Sequence, residues 1–311
     1  MAISKGRESV DIEFKRYIGV TPVMVKAVNP TKEEHEKLFN TTLEESPKYN
    51  TVVEDNDGNS IDSARIQIIF QPDTDKIGFD MPLVTMALFI QNRPRVGATS
   101  GKTQVIDKYG RTAWVTPDEL AGHKIPVYSN GPADIDKDYR PAYVGEEELT
   151  AFVKTFLRIP DVTVWDNNAR KRVPNTKVKA EDCECRFDNL DRVFKGDFSE
   201  ITGAISSMPT NKIKVLLGVR TDVETGRLYQ TVYTKRFLSN TSTNYNSLDK
   251  EIQEIINNAV QNGRTVSTEY EAVNVHEYVV TPTTFTQSNE SAAVDNTTDM
   301  PFDTNSSSPW E

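Results

Sequence analysis

Residues 212–222, KIKVLLGVRTD, and residues 226–238, GRLYQTVYTKRFL, are two runs rich in β-branched and aromatic side chains, joined through Asp222-Val223-Glu224-Thr225-Gly226. A short connection containing glycine between two such runs predicts a β-hairpin. Comparable runs recur at Val10 to Val28, Ala64 to Phe70, Leu83 to Gln91 and Thr103 to Val115, and each is a strand candidate. Helical spacing interrupts them. TKEEHEKLF begins at Thr31 after Pro30, and Glu146 to Leu157 places Leu149, Phe152, Val153, Phe156 and Leu157 on one face. Phe187 to Ile205 reads as two short helices broken near Gly196. Ser247 to Asn262 repeats Leu248, Ile252, Ile255, Ile256 and Ala259 and stops at Gly263. Strands gathered toward both ends, with helices mainly in 145–206, do not alternate as a βαβ array does. The expectation is a β-rich α+β protein: an elaborated small β-barrel with inserted helices and a C-terminal helix.

The chain has 311 residues, 46 acidic and 36 basic side chains, and a formal net charge of −10. Its length suffices to bury a core without disulfides, and its composition excludes collagen-like and wholly disordered classes. The most apolar stretch, Met81 to Ile90, is half the roughly 20 residues of a spanning helix, and the start MAISKGRESVDIEF lacks a signal-peptide core. No membrane association is expected, and the protein is expected to stay inside the cell that makes it. Residues 282–311 differ from the rest. They hold Glu290, Asp295, Asp299, Asp303 and Glu311 and no Lys or Arg, so five of the ten net negative charges fall there. This composition buries too little apolar surface to offset ordering entropy. The expected organisation is therefore a body, 1–281, with a helical insertion around 145–206, and a disordered acidic tail, 282–311.

Cys183 and Cys185 close no useful loop and point to a reducing compartment. His35, His123 and His276 lie far apart with no zinc-box spacing. Gly97-Ala-Thr-Ser-Gly101-Lys102-Thr103 superficially suggests a phosphate loop, but its glycines are one residue too close, and a strand-like run follows where a helix is needed. It reads as a glycine turn. Asp134, Asp136 and Asp138 lack a spaced histidine or a nucleophile turn, so they form no complete catalytic constellation. No enzyme activity, metal or cofactor is expected.

Basic residues do interleave with aromatics on the strand candidates. Lys108, Tyr109, Arg111 and Trp114 fall in one segment, and Arg220, Tyr229, Tyr233, Lys235 and Arg236 fall on the hairpin. Alternation places Tyr229, Thr231, Tyr233 and Lys235 on one strand face. Rings that stack on bases, beside cations that follow phosphates, are how single strands are held without regard to sequence. Tyr109, Trp114, Tyr229 and Tyr233 are the candidate stacking residues. Lys108, Arg111, Arg220, Lys235 and Arg236 are the candidate phosphate contacts.

Within the tail, Asp299-Met300-Pro301-Phe302 resembles the acidic tip of single-stranded DNA-binding proteins, which docks partner enzymes. Nine more residues follow it, and Trp310 offers a second anchor. In the body, KRYIGVTPVMVKAVNPT, TQVIDKYGRTAWVT, IPVYSNGPADIDKDYRPAYVGEEEL and FKGDFSEI resemble the single-stranded DNA-binding proteins of crAss-like tailed phages, over roughly residues 12–240. The resemblance implies an OB-like barrel that binds single-stranded DNA in replication or recombination. It also implies recruitment of replication or recombination enzymes through the tail, in the cytoplasm of an infected bacterial host. Two other readings compete: a virion structural or cargo protein that binds no nucleic acid, and a magnesium-dependent nuclease built on Asp134, Asp136 and Asp138.

Overall fold

The structure, a computed structural model, describes residues 16–55, 57–73, 80–128, 131–132, 135–221, 228–242, 249–261, 265–268 and 278–281. In chain order its strands are β1 (Arg16–Val28), β2 (Asn50–Glu54), β3 (Ser60–Pro72), β4 (Val84–Pro94), β5 (Thr103–Asp107), β6 (Thr112–Val115), β7 (Val127–Tyr128), β8 (Gly131–Pro132), β9 (Tyr139–Pro141), β10 (Tyr143–Val144), β11 (Thr163–Asp166), β12 (Lys171–Pro174), β13 (Lys212–Thr221), β14 (Leu228–Ser239), β15 (Thr265–Thr268) and β16 (Tyr278–Thr281). The helices are α1 (Lys32–Phe39), α2 (Pro117–Ala121), α3 (Glu146–Leu157), α4 (Leu190–Phe194), α5 (Ser199–Ser206) and α6 (Asp249–Gln261). None of the described helices is long and apolar enough to cross a membrane.

The main sheet runs β10-β4-β3-β1-β13-β14, with β2 on β3 and the β15–β16 pair on β1, and its ladders are antiparallel. β14, at one end of this path, packs against β4 without a ladder between them among the described residues. The sheet is thus a curled half-barrel. Ladder irregularities accompany the curl, two of them in β1 and β14 besides a register shift between β10 and β4, because extra residues in a ladder bend the strand and increase its twist. One lies between Val25 and Ala27 of β1. The other is larger: Val215 faces Phe237 while Leu217 faces Val232, so Tyr233, Thr234, Lys235 and Arg236 stand against Leu216 alone.

Each face of the sheet has its own core. Alternate residues of β3 and β4, such as Ile66, Ile68, Leu88 and Ile90, join Val215 and Leu217 in packing on Leu149, Phe152, Val153 and Phe156 of α3 and on α4 and α5. On the other face Ile18 and Leu216 meet Ile252 and Ile255 of α6. The start of α3 abuts β4 so closely that a Cβ on Gly145 would lie 1.7 Å from the Phe89 carbonyl oxygen, and φ there is +84°. Only glycine fits both demands. The next residue, Glu146, is fully buried and held by Arg140 through bonds of 2.9 and 2.6 Å and by the Tyr143 N–H at 2.9 Å. That clamp fixes α3 to the small sheet β6-β5-β9.

Several expectations meet these elements directly. Thr31 caps α1 in a reciprocal box with Glu34, and α3 spans the residues its spacing predicts. The 187–205 segment forms α4 and α5 with Gly196 between them at φ +91°. The hairpin of 212–238 is present as β13 and β14, its connecting residues 222–227 lying outside the described ones. Gly97 to Lys102 is a turn closed by Gly97 and Lys102 and leading into β5. Thr103 to Val115, expected as one strand, is instead two strands and a tight turn. Residues 282–311 lie outside the described residues.

Candidate nucleic-acid interface

The turn between β5 and β6 is organised by Asp107, which is fully buried. Its carboxylate accepts from the N–H groups of Tyr109 (2.9 Å), Arg111 (3.0 Å) and Asp136 (2.9 Å) and from Arg111 Nε (2.8 Å). Asp followed three residues later by Gly is a turn signature, because the side chain satisfies the backbone N–H groups that the reversal leaves open. Lys108, Tyr109 and Arg111 therefore sit in a turn and not on a strand face. Tyr109 is only 7% exposed, with Lys108 Nζ 5.1 Å and Arg111 Cζ 5.2 Å from its ring centre. Lys108 pairs with Glu184 at 3.1 Å and Arg111 with Asp107 at 2.7 Å. Tyr109, expected to stack on a base, is thus buried with two cation–π contacts on its ring. Trp114, opposite Gln104 in the ladder, is half-buried, with the Arg95 guanidinium 5.7 Å from its ring. Arg95 is in turn paired with Glu147 at 3.0 Å.

The β13–β14 hairpin is more open. Arg220 and Tyr229 are directly opposed across the ladder, and both are exposed, Tyr229 at 48%. The next side chain, Gln230, turns inward and ties the hairpin to β1 by accepting from Tyr17 N (2.9 Å) and donating to Tyr17 O (2.7 Å). Tyr233 is 37% exposed, but it lies over Gly218. A Cβ added to Gly218 would come 3.1 Å from Tyr233 and 3.3 Å from Ile255, so the bare backbone there makes room for the ring under α6. Burial, then the charge of Glu254 and a hydrogen bond to it, raise the Tyr233 hydroxyl above the usual tyrosine range.

The single alternating face expected for Tyr229 to Lys235 also needs correction. Val232 and Phe237, an odd number of residues apart, both pack on the α3-side core, which regular alternation forbids. The bulge between them changes the parity, so Lys235 and Arg236 lie within it. Their backbone is placed there, and their side chains are outside the described ones. Of the nine expected contact residues, Lys108, Tyr109 and Arg111 lie in the β5–β6 turn, Trp114 on the small sheet, and Arg220, Tyr229, Tyr233, Lys235 and Arg236 on the main sheet.

Asp299, Met300, Pro301, Phe302 and Trp310 lie outside the described residues, as does Asp134. The Asp136 N–H binds Asp107, and Asp136 accepts from the Asp138 N–H. Among the described residues no three His, Cys, Asp or Glu side chains are grouped to hold a metal ion.

Thr163 to Pro174, not among the strand candidates, forms a hairpin bearing the exposed Trp165. Its signal was the basic run Arg170-Lys171-Arg172 after the Asn-Asn turn. No protein-family model, curated protein or solved structure matches the chain.

Proposed function

We propose that the protein is a non-enzymatic, sequence-independent single-stranded DNA-binding protein of a tailed phage, with an OB-like body acting in replication or recombination and an acidic tail that recruits partner enzymes. The observation that carries this reading is the open pairing of Tyr229 with Arg220 on the β13–β14 hairpin. A half-exposed ring beside a guanidinium offers a stacking platform and a phosphate contact on one surface. The net acidity of the chain does not oppose this, because a strand responds to the local potential along its path within a Debye length of about 8 Å.

The reading is tested with a fluorescently labelled oligo-dT. Tyr229→Ala combined with Arg220→Gln weakens binding about tenfold or more, since one stacked base is worth about 1–3 kcal/mol. Undiminished affinity in a folded double variant removes this surface from the account.

A further inference from the structure

Among the described residues β11 and β12 pair only with each other, and they bury no side chain. In their ladder Trp165 faces Arg172 and Val164 faces Val173, and Trp165 is 59% exposed. Between residues 163 and 179 the charged side chains are Arg170, Lys171, Arg172, Lys177 and Lys179 against Asp166 alone, a local charge of +4 in a chain of −10. The Asp166 carboxylate is occupied by the N–H groups of Asn168 and Ala169, which turn the hairpin. Lys179 pairs with Glu181, and Arg172 donates to Thr163. Among the described residues Arg170, Lys171 and Lys177 make no ion pair.

The foot of this arm is fixed. The Asn175 N–H donates to Val162 O at 2.8 Å and its Nδ2 to Asp161 O at 2.9 Å. Lys154 Nζ joins Asp161 at 2.7 Å and the Tyr109 carbonyl at 3.3 Å, which anchors the arm beside the β5–β6 turn. Two paired strands alone are marginal in water, so the anchored foot gives the arm a defined place while its ring and cations stay outside both cores.

We infer that this arm is a further single-strand contact: Trp165 stacks on an unpaired base while Arg170, Lys171 and Lys177 meet the adjoining phosphates. The inference rests on the DNA-binding reading above and adds a surface to it. Charge complementarity selects a polyanion, and the exposed indole selects one with free π-faces. A duplex, whose bases are already stacked, offers the ring nothing.

The test uses the full chain, labelled oligo-dT and anisotropy at several salt concentrations, with far-ultraviolet circular dichroism to confirm folding. Trp165→Ala is expected to bind about tenfold more weakly, and Trp165→Phe, which keeps a ring, to stay near wild type. Exchange of Arg170, Lys171 and Lys177 for Gln lowers the slope of log affinity against log salt by about 2, at roughly 0.7 per phosphate contact on a single strand. If wild type binds oligo-dT and both sets of variants match it in affinity and slope, the arm is not a contact and the inference falls while the DNA-binding reading stands. If wild type binds no oligo-dT, both fall. Saturable binding of poly-Glu that is lost in Trp165→Ala, with none of oligo-dT, assigns the arm to an acidic polypeptide and also overturns the inference.

Discussion

At Cys185 the thiol donates to the Tyr109 carbonyl at 3.1 Å, beneath the turn that Asp107 organises. Burial, reinforced by the charges of Asp107 and Asp161 and opposed by Lys154, pushes its pKa up from 9.0 to about 11. The folded state therefore holds this proton where the unfolded chain has lost it. The stabilisation is complete below pH 9 and disappears as pH rises through about 11, a loss on the order of 3 kcal/mol. Urea denaturation at pH 8 and pH 11 is expected to show that fall, and Cys185→Ala to show a smaller one over the same window. An identical fall in the variant places the pH dependence elsewhere. The same burial keeps the thiolate scarce, so Cys185 reacts slowly with iodoacetamide at pH 8 in the folded protein.

Among the elements, what was legible in the sequence is what local chemistry decides. The capping box at Thr31, the apolar stripe of α3 and the alternation of β3 and β4 all declare themselves within a dozen residues. The strands from β7 to β12 are two to four residues long, too short for a period to show. The division of Thr103 to Val115 was hidden because its turn is flanked on both sides by strand-like residues and closed by a buried Asp. The bulge of β14 was illegible for another reason: it is imposed by two cores, one taking Val232 and Phe237 and the other Leu238. Alternation alone did not fix which face of the hairpin is exposed, so the exposure of Tyr229 and the burial of Tyr109 are properties of the folded chain only. α6 closes the second core through Ile252 and Ile255. Ile255→Ala is accordingly expected to destabilise the protein by about 2–5 kcal/mol in urea denaturation. An unchanged midpoint shows that α6 is not integral to the fold.

Across the whole molecule the charges are unevenly placed: the last thirty residues carry five net negative charges and no cation, while 163–179 carries a net +4. A tethered polyanion competes with nucleic-acid phosphates for the same cations, most strongly at low salt. Truncation after residue 281 is thus expected to leave or tighten oligo-dT binding, with the largest gain at low ionic strength, and to abolish co-purification of a replication enzyme. Weaker binding by the truncated chain contradicts this competition. The proposal as a whole requires that unpaired bases be held by rings and phosphates by cations, whatever their order. It is tested most directly by titrating the full chain with oligo-dT and with a duplex of equal length, following tryptophan fluorescence at low and high salt. Saturable quenching by oligo-dT that salt reverses, with a much weaker response to duplex, is the expected result. A flat response to oligo-dT, or equal binding of the duplex, contradicts it.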